Sequence, residues 1–327
     1  MRRPKVLPAF TPAERERAHH LLATCVATMM GRKLEEGDWS GVYCAAKGLP
    51  EQKWSNLLPH VIHDGLVVEH KMVCYRSKPS LLEACGTTIM HPAATRSIRV
   101  PPPDTDPDQA MREVLKQYAG LVEERCALAI QTRPDRPPDV RIGWLLWQES
   151  LREFLYFEEE MLKPRVSDYR AEWVTRESGR RRKGSTNLWV YERASGRKRY
   201  SVTTEAGAKI QPYFDVPSPD HPSLYLFRVQ GEELPGGLVR VWATDATAEE
   251  LGRLLGGTSP DELGAAVRQI ATLLETGDAS HLAPNALARP LLLRLTDYDA
   301  LRGIAPDSVS DEHMLQSLVR HLRDQPT

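Results

Sequence analysis

Asp64-Gly65 stands between two apolar runs, Val61 to His63 and Leu66 to Val73. No other local signal in the chain leaves fewer alternatives, because a two-residue hairpin turn needs two positions that tolerate positive φ. A turn there pairs His63 with Leu66, Ile62 with Val67, Val61 with Val68 and His60 with Glu69. Side chains alternate along a strand, so His60, Glu69 and Lys71 then share one face, while Val68 and His70 point the other way. Directly opposed residues lie about 4.5–5.5 Å apart at Cβ. An imidazole, a carboxylate and an ammonium gathered in this way can hold a divalent cation and polarise a water beside it.

Pro59-His60, eight intervening residues and then Glu69-His70-Lys71 resemble the Pro-Asp…Glu-x-Lys hairpin of the PD-(D/E)XK nucleases, and within them the type II restriction endonucleases. The specific likeness runs over residues 50–76; the rest of the chain agrees only in layout. The resemblance implies a mixed-sheet nuclease core and metal-dependent hydrolysis of phosphodiester bonds in double-stranded DNA. It also implies Mg²⁺ as cofactor, or Mn²⁺ in its place, and a homodimer whose two-fold symmetry suits palindromic sites. Carried over residue by residue, Glu69 binds the metal, Lys71 orients or activates the attacking water, and the backbone carbonyl of His70 completes the metal's shell. Position 60 departs from the pattern, with His where the family has Asp. Either His60 ligates the metal, or Asp64, Glu51 or Glu36 supplies the missing oxygen, or the site is impaired. A neutral ligand there predicts weaker Mg²⁺ affinity and a preference for Mn²⁺.

The triplet alone is weak. A chain of this length holds on the order of one Glu-x-Lys by chance, and Glu51-Gln52-Lys53 is a second one without flanking apolar alternation. Its place after the hairpin carries the reading. The bland alternative is a cross-strand ion pair on a solvated sheet face, worth little. Asp64 suits a turn for backbone reasons alone, and His63 and His70 suit packing or solvation.

Composition narrows the class. The 327 residues allow one large or two ordinary domains, and 41% hydrophobic with 27% charged content is that of a soluble globular protein. No run approaches the roughly 18 apolar residues of a membrane span, and no apolar leader core follows the basic residues 1–5. Five cysteines, odd in number and without C-x-x-C pairing, favour a reducing cytoplasm over secretion and argue against structural zinc. No P-loop directs the reading to another enzyme class. Net charge is −1, yet Arg176, Arg180, Arg181, Arg182, Lys183, Arg193, Arg197, Lys198 and Arg199 crowd one segment.

Helix signals begin at Thr11-Pro12 with Glu14, a capping box leading into a helix over 13–34. Residues 39–45 predict a strand, 108–124 an amphipathic helix, and 126–130 a short buried strand. Residues 144–162 predict a helix whose Trp144, Trp147, Leu151, Phe154, Leu155 and Tyr156 form an aromatic face, suited to core packing or to a dimer seam. An antiparallel meander follows, with strands at 169–175, 187–191 and 198–203. Strands at 224–229 and 238–243 and helices near 247–255, 260–275 and 311–323 complete the chain. The fold expected is α+β (α/β in its layers): a mixed-sheet nuclease core flanked by helices over 1–165, an inserted basic β-meander for DNA contact over 166–217, and a C-terminal α/β segment over 218–327.

A turn bearing Arg180, Arg181, Arg182 and Lys183 between glycines is shaped to meet phosphates, with affinity falling steeply in salt. Asn187, Lys209 and Gln211 are candidate base readers. The bland reading is a solvated charged loop. Three activities fit: a sequence-specific endonuclease, a non-catalytic DNA-binding protein, and a structure-specific repair nuclease on the same core.

Overall fold

The computed structural model describes residues 3–29, 33–50, 58–75, 80–91, 98–176, 184–204, 208–271, 288–303 and 310–323. In chain order it begins with β1 (Val6–Leu7), α1 (Pro12–Thr28), α2 (Glu36–Lys47), β2 (Val61–His63), β3 (Leu66–Cys74) and β4 (Thr88–Met90). Helix α3 (Pro107–Thr132) leads to β5 (Asp139–Trp147) and β6 (Glu153–Glu160). Then come β7 (Tyr169–Arg176), β8 (Ser185–Glu192), β9 (Lys198–Thr203), β10 (Ile210–Asp215) and β11 (Tyr225–Arg228). The C-terminal part holds β12 (Glu232–Leu234), β13 (Leu238–Thr244), α4 (Asp245–Leu255), α5 (Pro260–Ala271), β14 (Ala288–Arg294), α6 (Leu295–Gly303) and α7 (Asp311–Arg323).

The fold is mixed α+β. Its first sheet runs β1-β6-β5-β3-β2, with β11 also on β6. Among the described residues, β3 and β5 are the one pair in parallel, across the connection that contains α3. One face packs on α1 and α2 through Leu22, Trp39, Tyr43, Val68, Leu145 and Tyr156. The other packs on α3 and on a second sheet, β4-β10-β9-β8-β7, through Val67, Leu115, Trp144, Leu188, Val190 and Phe214. The meander thus shares a core with the hairpin. A third sheet, β12-β13-β14, packs on α4 to α7 around its own apolar cluster. Among the described residues no helix is long and apolar enough to cross a membrane.

Several elements form where the residues place them. Thr11 Oγ1 accepts from the Glu14 N–H at 3.3 Å and Glu14 Oε2 accepts from the Thr11 N–H at 2.7 Å, the expected capping box. The meander strands, β11, β13, α4, α5 and α7 lie where their periodicity puts them.

Three expectations are corrected. The strand expected at 39–45 lies within α2: Trp39, Val42, Tyr43 and Ala46 bury at helical spacing, and Gly48 closes the helix at φ 67°. The strand expected at 126–130 is the last part of α3, where Arg125 and Ala129 continue the buried stripe. A short apolar run reads alike as buried strand or buried helix. The helix expected over 144–162 is the antiparallel β5–β6 pair, joined through Leu151 at φ 54°. β5 is central in the sheet and covered on both faces, so Trp144, Leu145, Leu146 and Trp147 are all buried and no alternation shows. The aromatic face there is core.

Candidate active site

The turn is built as its residues require, with Asp64 at φ 46° and Gly65 at φ 84°. His63, Ile62 and Val61 pair with Leu66, Val67 and Val68. The ladder stops at the Val61–Val68 pair, and among the described residues no strand pairs with that edge of β3 from Glu69 onward. His60 lies just off the ladder and continues it with its side chain: the His70 N–H donates to His60 Nδ1 at 3.1 Å. An acceptor at Nδ1 leaves the proton of a neutral ring on Nε2. In an antiparallel hydrogen-bonded pair a residue's N–H and C=O leave on the same side, so the His70 carbonyl opens on this same edge.

Five side chains meet there. Lys71 Nζ lies 3.0 Å from Glu69 Oε1 and 3.9 Å from Glu36 Oε2. His60 Nε2 lies 3.4 Å from Glu36 Oε2, and Arg125 donates to Glu69 Oε2 at 3.4 Å. Glu36 comes from the first turn of α2 and Arg125 from α3, so helices on opposite faces of the sheet reach round its edge. Burial alone would raise the Glu36 carboxyl; the hydrogen bond from His60 and the charges of Lys71, His60 and His91 outweigh it and leave the group below its ordinary value. His70 turns to the other face, fully buried, with Nδ1 2.9 Å from Ser40 Oγ. Burial, and then the charges of His60 and Lys71, push its pKa well below the usual imidazole range, so the ring is neutral.

Of the acids that could stand in for the family's Asp, Glu36 is the one at this cluster. Asp64 is tied at the turn to Arg133, whose hydrogen bond holds its carboxyl below the usual range. Glu51 lies outside the described residues.

Glu69 and Lys71 are 3% and 7% exposed; the cluster meets the surface at Glu36, whose side chain is 31% exposed. No set of three or more His, Cys, Asp or Glu side chains among the described residues is gathered to hold a metal ion. Two carboxylates nonetheless converge on one ammonium. Glu69 Oε1 is buried without a hydrogen bond, since Lys71 is close to it but out of line for one. Mg²⁺ typically takes one or two carboxylates and keeps waters, so Glu36, Glu69 and the His70 carbonyl fit it as donors. Arg125 on Glu69 works against such an ion by supplying a competing cation.

Arg180, Arg181, Arg182 and Lys183 fall outside the described residues. Leu188 and Val190 face the shared core, so alternation turns Asn187, Trp189 and Tyr191 to the outer face of the second sheet. Gln211 and Lys209 share that face, through the pairing of β10 with β9. Asn187, Lys209 and Gln211 are therefore brought together with one another but not with Glu69 and Lys71. Cations and rings alternate over this face: Lys198 Nζ lies 3.2 Å from the centroid of Trp189, with Arg176 over the same ring and Arg170 over Tyr191.

Arg125 is not among the sequence candidates. For Arg125 a signal exists, a cation on the apolar stripe Tyr118, Leu121, Val122, Ala129. Compared with described families, curated proteins and solved structures, the chain matches none.

Proposed function

We propose that the protein is a Mg²⁺- or Mn²⁺-dependent endodeoxyribonuclease that cuts double-stranded DNA in the manner of type II restriction endonucleases, acting in the cytoplasm as a homodimer. One observation carries this reading: Glu36, Glu69 and Lys71 converge at the open edge of a tight hairpin. Glu36, Glu69 and the His70 carbonyl would hold the metal, which when bound would polarise a phosphoryl oxygen and lower the pKa of a water. Lys71 orients the attacking water and stabilises charge growing on phosphorus. His60 acts by positioning, with one nitrogen on the His70 N–H and the other on Glu36. The cation-and-ring face of the second sheet supplies a further nucleic-acid contact.

Digestion of plasmid DNA with added Mg²⁺ or Mn²⁺ tests this. Wild-type protein is expected to give discrete fragments. Lys71→Met, which keeps the side-chain volume, is expected to lose about 100-fold or more in cleavage with DNA affinity unchanged. Full cleavage by that variant, with its melting temperature preserved, rejects the assignment.

A second reading rests on the burial of Glu69 and Lys71 and on the Arg125 ion pair, which suit a non-catalytic DNA-binding protein. Binding without any metal-dependent product selects it. Preference for branched over linear duplexes would select a repair nuclease.

A further inference from the structure

Between the first sheet and the second lies a cavity of about 630 Å³, inside the range of ligand pockets, roughly 300–1,000 Å³. Its floor is Ile142 and Trp144 of β5 and Glu159 of β6, and its walls include Tyr118, Tyr169 and Tyr200. Phe214 stacks on Trp144, centroids 4.0 Å apart at 14°, which fixes the indole. The Trp144 Nε1–H donates to Glu159 Oε1 at 2.8 Å. That bond marks Oε1 as an acceptor and leaves Oε2, which takes no hydrogen bond from the described residues, for the cavity. Register links the cavity to the hairpin cluster: Glu69, Ile142 and Glu159 are consecutive partners across β3, β5 and β6. At about 4.8 Å per strand, Glu159 stands roughly 10 Å from Glu69 on the same face.

Glu159 keeps part of its surface open to the cavity, yet burial raises its carboxyl to about 7. Asp215 on β10 adds to this rise, while the Trp144 hydrogen bond and Arg199 on β9 oppose it. Tyr118 faces it from α3 and Glu160 flanks it on β6; Arg3, Lys163 and Arg165 are exposed where the cavity opens, with Asp168 and His221 also in its lining. With its proton on, the group offers an O–H donor at Oε2 and, at Oε1, a carbonyl whose second lone pair remains beside the Trp144 bond. Cytosine and adenine present the complement on their Watson–Crick edges, a ring nitrogen acceptor next to an exocyclic amine; on that edge uracil offers a ring N–H between two carbonyls and guanine a ring N–H beside its amine.

We propose that this cavity binds a single amino-bearing nucleobase, cytosine or adenine, between aromatic walls, with Glu159 reading its edge and the basic residues at the opening taking the attached phosphate. The base comes either from a free nucleotide or from a strand that turns one base out of its stack.

Binding is measured by tryptophan fluorescence and calorimetry without added divalent metal, so cleavage and base binding succeed or fail separately. CMP or AMP is expected to bind at least tenfold more tightly than UMP and GMP at pH 6. Its affinity should drop about tenfold by pH 8, as a group titrating near 7 loses its proton. Glu159→Gln keeps an amide donor and an acceptor, so it should keep binding and flatten that pH dependence; Glu159→Ala should abolish binding. A second arm uses a duplex with one unpaired C or A against one with an unpaired T. Binding in that arm alone, sensitive to Glu159→Ala, assigns the base to a nucleic-acid strand. Equal binding of all four bases, indifference to Glu159→Ala, or no binding in either arm overturns the proposal.

Discussion

Glu36 is the residue whose environment says most about the site. Its folded pKa is lowered, so the stability it adds is fully present above its ordinary value of 4.5. That stability is lost as pH falls through the lowered folded value. The difference in melting temperature between wild type and Glu36→Gln is therefore expected to be constant near neutrality and to shrink as pH falls below 4.5 through the lowered folded value. A difference that grows on acidification would show that His60 and Lys71 do not stabilise the carboxylate. Glu69 and Lys71 were legible because turn chemistry and strand alternation are local. Arg125 was half legible: a cation on a buried stripe requires a buried anion, but the stripe does not say which one. Glu36 could be named among three acids and no further, since which of them arrives depends on how α2 packs.

At the level of elements, the β5–β6 pair is where packing and prediction part. Its aromatic residues recur at spacings that also suit a helix, and burial on both faces erased the period of two. Gly143, opposite His70 in the parallel ladder, shows how tightly the strands meet their cover. A Cβ there would fall 2.3 Å from Tyr156 Oη and 2.8 Å from His70 Cδ2. Tyr156 cannot swing aside cheaply, because its hydroxyl donates to the buried Glu158 at 2.8 Å, which also pairs with Arg141 at 2.9 Å. Gly143→Ala is expected to cost about 1–3 kcal/mol by overpacking, read from urea unfolding. An unchanged midpoint would mean that the tyrosine relaxes freely.

Among the described residues, the hairpin cluster and the ring-stacked cations occupy different surfaces. The Glu36–Lys71 cluster opens at the edge of the first sheet, while Lys198, Arg176 and Arg170 with Trp189 and Tyr191 lie on the far face of the second. If that face carries the DNA backbone, duplex affinity falls linearly with salt on logarithmic axes, and Lys198→Ala reduces the slope by about one. An unchanged slope moves the contact elsewhere. The sequence by itself determined the turn at Asp64-Gly65, the register of its three pairs, the shared face of Glu69 and Lys71, and the antiparallel meander, because positive φ and a period of two act between near neighbours. Only the tertiary structure decided which acid and which arginine joined that face, that the aromatic run is a pair of strands, and that a cavity lies over Glu159. Those outcomes depend on how helices and sheets stack, and residues far apart in the chain carry no mark of the distance at which packing will set them.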